Sequence, residues 1–185
     1  NKRDQYIPAL SFKWLTPLYD PLLRWGMREE TFKRHLIKQA NIQPGQRILD
    51  LGCGTGTLTI LIKQLHPDAE VVGLDGDPEI LVIARAKAAK AGVEITLDHG
   101  MAFQLPYPDD AFDRVLTSLV LHHLIRDDKQ RAFGEVYRVL RTGGELHIID
   151  FGKPQGAYGS LASQLIKRME QAGDNVKGLL PIIIG

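Results

Sequence analysis

One cysteine, Cys53, stands among 185 residues. An internal disulfide is therefore excluded, and so is any zinc site built on paired cysteines. An excess of one charge is also lacking: 23 Lys and Arg face 22 Asp and Glu, formally +1. A dedicated nucleic-acid binder usually shows a strongly basic face, so no nucleic-acid partner is expected. No apolar run approaches the roughly 18 residues that span a bilayer, and no stable membrane insertion is expected. The N-terminus is polar and aromatic rather than basic and then apolar, so no signal peptide is read there and a cytoplasmic setting is the expectation. Internal repeats, low-complexity tracts and clusters of His, Asp and Glu with metal-ligand spacing are absent too. The chain starts at Asn1 and ends in the apolar run Pro181-Ile182-Ile183-Ile184-Gly185. Such a run needs a partner to bury it, so we expect the natural protein to continue. Oligomeric state is not legible.

What is present is a composition of 44% hydrophobic and 24% charged residues, enough for one α/β domain with a real core. The pattern alternates. Arg47–Leu51 is a short apolar run ending in glycines, as a buried strand does. Leu58, Leu61, Ile62 and Leu65 fall on one helical face, and His66-Pro67-Asp68 ends it. Glu70–Asp75 reads as a second strand. Asp77-Pro78-Glu79 has an N-cap and a Pro at the first helical position; Ile80, Ile83, Ala84 and Ala88 form the stripe behind it, closed by Gly92. Val93–Leu97 is expected as a third strand and Phe112–Leu119 as a fourth. Asp127 or Asp128 is expected to cap a helix with the stripe Phe133, Val136, Tyr137 and Leu140, stopped by Gly143-Gly144 before a fifth strand, Glu145–Phe151. This alternation predicts a mostly parallel sheet with helices on both faces, in the order 3-2-1-4-5 with strand one central. Residues 1–185 read as one domain: a helical cap over 1–45 (with Phe32, Leu36, Ile37 and Ala40 at helical spacing), an α/β core over 46–151, and a C-terminal lid over 152–185.

The densest chemical signal is Asp50-Leu51-Gly52-Cys53-Gly54-Thr55-Gly56, between a strand and a helix. Glycines there let the backbone turn tightly and approach a ligand. A dinucleotide fingerprint needs Gly-x-Gly-x-x-Gly, but Thr57 stands at its third glycine, so the loop alone is equally consistent with a plain turn. Asp75 ends the second strand about 20 residues on, where a carboxylate accepts both ribose hydroxyls. A turn carboxylate is the alternative; the combination favours a nucleoside half-site.

Asp50–Gly56, Asp75, Leu105-Pro106-Tyr107-Pro108-Asp109 before Phe112-Asp113, Leu121-His122-His123 and Arg138–Gly144 together resemble a class I S-adenosylmethionine-dependent methyltransferase, over residues 19 to about 151. Within that class the chain is most similar to the small-molecule branch containing the ubiquinone/menaquinone and sterol C-methyltransferases; Tyr19-Asp20 and Asp150-Phe151-Gly152-Lys153-Pro154 are like the quinone enzymes. The resemblance implies a three-layer Rossmann-like fold with S-adenosyl-L-methionine as cofactor. The family's full sheet has seven strands with a final antiparallel hairpin. Residues 152–185 look too short to supply all of it, so part of the hairpin is expected to be missing.

The resemblance also implies roles. Asp50 would bind the cofactor's ammonium, with Gly52, Cys53 and Gly54 against its amino-acid part. Asp75 would hold the ribose hydroxyls, Gly76 would lie near the adenine, and Ala102 would offer its backbone N–H to an adenine nitrogen. Ser118 and Leu119 would face the methionine portion, and Tyr19 would close over it. Met101 departs from the family's acidic residue and leaves adenine recognition to packing and backbone. His122 and His123 are the candidate general bases, against packing or hydrogen-bonding roles. Asp150 would line the acceptor's side or simply end a strand, and Cys53 reads as a small packed side chain.

The expected activity is methyl transfer to a small lipophilic or aromatic acceptor, covered by Phe12–Met27 and Gly156–Leu180. A catalytically silent S-adenosylmethionine binder is the alternative. A nucleotide-cofactor dehydrogenase is disfavoured by Thr57 and by the lack of a Tyr-x-x-x-Lys pair.

Overall fold

The computed structural model describes residues 29–150. Tyr19, the aromatic segment 12–27, the lid over 152–185 and the question of a terminal hairpin lie outside the described residues. Within them, α1 (Glu29–Ala40) leads into β1 (Arg47–Leu51), α2 (Thr57–Leu65), β2 (Glu70–Asp75), α3 (Pro78–Ala91), β3 (Thr96–His99), β4 (Phe112–Ser118), a 3₁₀ turn (Leu121–His123), α4 (Arg126–Val139) and β5 (Leu140–Ile149). The strands form one sheet in the order β3-β2-β1-β4-β5, and every pairing is parallel. The expected order therefore holds, with β1 at the centre.

Parallel strands covered on both faces need apolar residues on both, and β1 supplies them. Ile48 faces a cluster with Leu36, Ile37 and Ala40 of α1, Leu58, Leu61 and Ile62 of α2, and Leu116. Leu49 and Leu51 point the other way, to Val72, Leu74, Phe112, Val115 and the α4 residues Val136 and Val139. Phe112 is fully buried, and burial of such a side chain contributes roughly 1.5–3 kcal/mol. The amino ends of the strands are stitched by Asp113. One of its oxygens accepts from the Arg47 backbone N–H at 2.7 Å and from Arg141 Nη1 at 2.8 Å, while Arg47 Nε reaches Glu70 at 2.8 Å.

Several boundaries and one helix stripe differ from the sequence expectation. The third strand begins at Thr96, not Val93, because the Val93 N–H is taken by the Ala88 carbonyl at the end of α3, a helix-terminating bond that keeps it out of the sheet. Helix α4 is capped at Ile125 with no side-chain bond; Asp127 and Asp128 lie in its first turn, where they face the positive end of the helix dipole. Its buried stripe is Lys129, Ala132, Val136 and Val139, while Tyr137 is 85% exposed. The stripe is thus shifted in phase, and Leu140 already belongs to β5. That strand starts five residues before Glu145: Leu140 pairs with Phe112, the chain bulges through Arg141–Gly144, and pairing resumes at Arg114↔Glu145. The Asp77 cap is as expected, its side chain accepting from the Glu79 N–H at 2.9 Å ahead of Pro78.

The glycine loop shows why two glycines are needed. Gly52 has φ 72°, and a Cβ there would lie 2.4 Å from a Val120 methyl. Gly54 has φ 53° but nothing within 4 Å of such a Cβ. Gly52→Ala is expected to cost about 3 kcal/mol or more in urea denaturation, from clash plus backbone strain. Gly54→Ala is expected to cost only about 1–2 kcal/mol, the strain alone.

Candidate functional site

The carboxyl ends of parallel strands are where an open α/β sheet binds ligands, at the point where the chain switches direction across the sheet. Here that point lies between β1 and β4, since β2 flanks β1 on one side and β4 on the other. Asp50, the glycine loop, Asp75, Ser118, Leu119, His122 and Asp150 all sit at or just beyond these ends.

The loop is fixed to β2. The N–H groups of Gly52 and Cys53 both donate to the Leu74 carbonyl, at 2.8 and 2.9 Å. Asp75 then accepts on both oxygens: from Gly54 N–H at 2.8 Å and from Asp77 N–H at 2.9 Å. Each oxygen has a second lone pair for a ligand hydroxyl. Burial drives the Asp75 pKa up, against the hydrogen bonds from Asp77 and Gly54. The Asp75 carbonyl accepts from Gly100 N–H at 3.0 Å, which brings Gly100, Met101 and Ala102 alongside the β2 end. Met101 is half-buried, and its carbonyl closes a turn by accepting from Gln104 N–H at 3.0 Å.

Asp50 is 1% exposed. Thr59 Oγ1 donates to its Oδ2 at 2.6 Å, but Oδ1 is buried with no hydrogen bond. Desolvation pushes the Asp50 pKa up to about 6, opposed by the Thr59 bond and the nearby Lys33 charge. A buried acceptor without a donor is costly, and is the kind of defect a polar ligand repairs.

Across the crevice, Leu119 has φ 59°, a left-handed conformation that costs a branched residue about 1–2 kcal/mol. Its N–H is held by the Ile149 carbonyl at 2.8 Å. Next to it, Asp150 grips His122 twice: Oδ2 accepts from the backbone N–H at 3.2 Å and Oδ1 meets ring Nδ1 at 2.8 Å. Both side chains are buried, and the His123 ring packs on His122 with centroids 4.1 Å apart. Cys53 is buried with its sulfur against Gly73, where an added Cβ would lie only 3.0 Å away. Burial raises its thiol pKa, so it is a filler, not a nucleophile.

Residues not singled out from the sequence also belong here. Thr59 lies on α2 between the apolar positions that define its stripe. Lys87 Nζ on α3 donates to Thr57 Oγ1 at 2.7 Å and Thr55 Oγ1 at 3.1 Å, bracing the glycine loop. Glu29 and Lys33 on α1 form a buried ion pair. The only usable signal was a pair of oppositely charged residues four apart, which ordinarily reads as a solvated helix face. Among the described residues there is no group of three His, Cys, Asp or Glu able to hold a metal ion, and no helix long and apolar enough to cross a membrane.

Residues 48–144 match the family described as methyltransferase domain. The demethylmenaquinone methyltransferase of Thermus thermophilus is 40% identical over 152 residues, covering 80% of this chain and 68% of that protein. The chain belongs to the class I S-adenosylmethionine-dependent methyltransferases. A second demethylmenaquinone methyltransferase, from Symbiobacterium thermophilum, is 33% identical over 158 residues, covering 83% of this chain and 62% of that protein. Among solved structures, the YcgJ protein of Bacillus subtilis superimposes with a TM-score of 0.62 at 30% identity, over 74% of this chain and 57% of that one. The chain thus spans about two thirds of the length of the curated relatives it matches. The resemblance stated from the sequence holds, in the quinone branch, and with it the methyltransferase assignment and S-adenosylmethionine as the family's cofactor.

The raised pKa of Asp50 has a measurable sign. Below about pH 4 the group is neutral in both folded and unfolded chains and carries no penalty. Between pH 4 and 6 the unfolded chain ionises first, so folding loses stability, and the loss is complete above about pH 6. Asp50→Asn is therefore expected to stabilise the ligand-free protein at pH 8 by up to about 3 kcal/mol, a gain that fades to nothing below pH 4 in urea titrations run across that range.

Proposed function

We propose that the protein transfers the methyl group of S-adenosylmethionine to a small, lipophilic aromatic acceptor of the quinol class. The observation that carries this is the 40% identity, across 80% of the chain, to a protein named demethylmenaquinone methyltransferase. The site supports it chemically. Asp50 has a buried oxygen lacking a donor, Gly54 presents backbone with open space beside it, and Asp75 has lone pairs beyond its two backbone bonds. These fit a cationic nucleoside cofactor.

When bound, the cofactor supplies a sulfonium methyl whose bond breaks with its electron pair left on sulfur. The chain's own residues then have to bind, orient and handle a proton, so most of the rate comes from positioning. Asp50 would hold the ammonium and Asp75 the ribose hydroxyls, with Gly52, Cys53 and Gly54 backing the amino-acid end. Gly76, Met101 and Ala102 would border the adenine, and Ser118 and Leu119 the methionine portion. Methylation of an aromatic carbon or hydroxyl also requires loss of a proton. Asp150, bound to Nδ1 of His122, would favour the tautomer with the proton on that nitrogen and so make Nε2 the basic one. We assign His122, with His123 packed on it, to that role.

The decisive experiment follows methyl transfer to a soluble short-chain demethylmenaquinol. Methylated product with matching S-adenosylhomocysteine supports the proposal. Tight cofactor binding without transfer to any quinol in a panel would favour the silent binder. In titration calorimetry, Asp75→Ala is expected to weaken S-adenosylmethionine by about 1.5–3 kcal/mol, the range for hydrogen bonds to a charged group, and Asp50→Ala is also expected to weaken it. Two variants that bind like the parent would refute the site.

A further inference from the structure

The ion pair on α1 is oddly placed. Glu29 and Lys33 are 2% and 7% exposed, and a buried pair costs stability unless its remaining lone pairs and protons are satisfied. They are not: Glu29 Oε2 is buried with no hydrogen bond. The location of the pair is fixed by the helix. Arg114 Nε donates to the Ala40 carbonyl at 3.0 Å, anchoring the end of α1 beside the start of β4. Leu36 and Ile37 pack with Ile48 and Leu116 in mid-sheet. The first turns of α1 therefore lie toward the carboxyl ends of the strands, where the Lys33 charge acts on Asp50.

The same region thus holds Glu29, Lys33 and Asp50, with the Asp75 charge also acting on Asp50, and two buried oxygens without donors, Glu29 Oε2 and Asp50 Oδ1. Glu29, Lys33 and Asp50 alone carry a formal charge of −1 with both acids ionised, and all three are buried. Such an arrangement calls for one more compact cation with N–H donors. A primary ammonium qualifies, with three donors and no acceptor.

We propose that Glu29 is a second carboxylate, beside Asp50, in the subsite for the α-ammonium at the amino-acid end of the cofactor, with Lys33 as the built-in cation that separates the two carboxylates. This rests on the cofactor reading above. Glu29 is then a binding residue contributed from outside the glycine loop, on the element that precedes the sheet.

The test is titration calorimetry on the full chain with three probes: S-adenosylhomocysteine, its deaminated analogue, and methylthioadenosine, which lacks the amino-acid end. Glu29→Gln is expected to weaken S-adenosylhomocysteine roughly tenfold or more, while the two probes without an ammonium bind as they do to the parent. Glu29→Asp keeps the charge on a shorter arm and is expected to lose part of the same discrimination; it carries the test if the Gln variant does not fold. Equal weakening of all three probes, or an unchanged preference for S-adenosylhomocysteine over its deaminated analogue, would overturn the assignment. A parent protein that binds none of the three would overturn the cofactor reading itself and the proposal with it. A parent that binds all three with unchanged preference in both variants would overturn the Glu29 role alone.

Discussion

A single carboxylate, that of Asp75, holds the site together. One oxygen fixes the Gly54 N–H and the other the Asp77 N–H, so the loop after β1 and the turn after β2 share one anchor. Because Asp77 also caps α3, the orientation of that helix is tied to the same group, and Lys87 on it braces Thr55 and Thr57 in return. The loop, turn and helix form a closed circuit. Displacement of any one strains the hydrogen bonds of the others, which is how a glycine-rich segment stays ordered.

The second half of the crevice is held differently. Leu119 is kept in a strained conformation by the Ile149 carbonyl, and Asp150 secures the turn that follows through His122. Both anchors come from the end of β5, so the loop after β4 depends on its neighbouring strand much as the loop after β1 depends on β2. Val120 then presses on Gly52 and joins the halves. The crevice is therefore preorganised by backbone geometry, while Asp50 Oδ1 is left without a hydrogen bond.

The sheet order and the glycine-loop, Asp75 and Asp77 features were legible because each rests on a local rule: a buried strand run, a turn that only glycine tolerates, a cap followed by proline. The α4 stripe was misjudged because Val139 and Leu140 are both apolar, and only the strand pairing of Leu140 with Phe112 reveals that the helix has ended. The start of β3 was misplaced because Val93 and Ile95 have strand character, whereas a helix-end hydrogen bond claims Val93. Glu29 and Lys33 were invisible for a deeper reason. Their spacing is that of an ordinary exposed pair, and burial is a property of what packs over them. The role of Thr59 was hidden likewise, since nothing local says that a threonine in an apolar stripe will meet a carboxylate nine residues earlier.

The stitching around Asp113 at the amino ends of the strands has a consequence for how the protein can change. Hydrogen bonds from Arg47 and Arg141 offset the desolvation of Asp113 and hold its pKa below the usual carboxylate range, so this rim is relaxed when ionised. The opposite rim keeps Asp50 in discomfort at the same pH. Substitutions at the two rims should therefore leave different fingerprints. At the amino rim, neutralising Asp113 removes stability; at the carboxyl rim, neutralising Asp50 adds it. Selection for heat tolerance alone would therefore act on the second rim before the first.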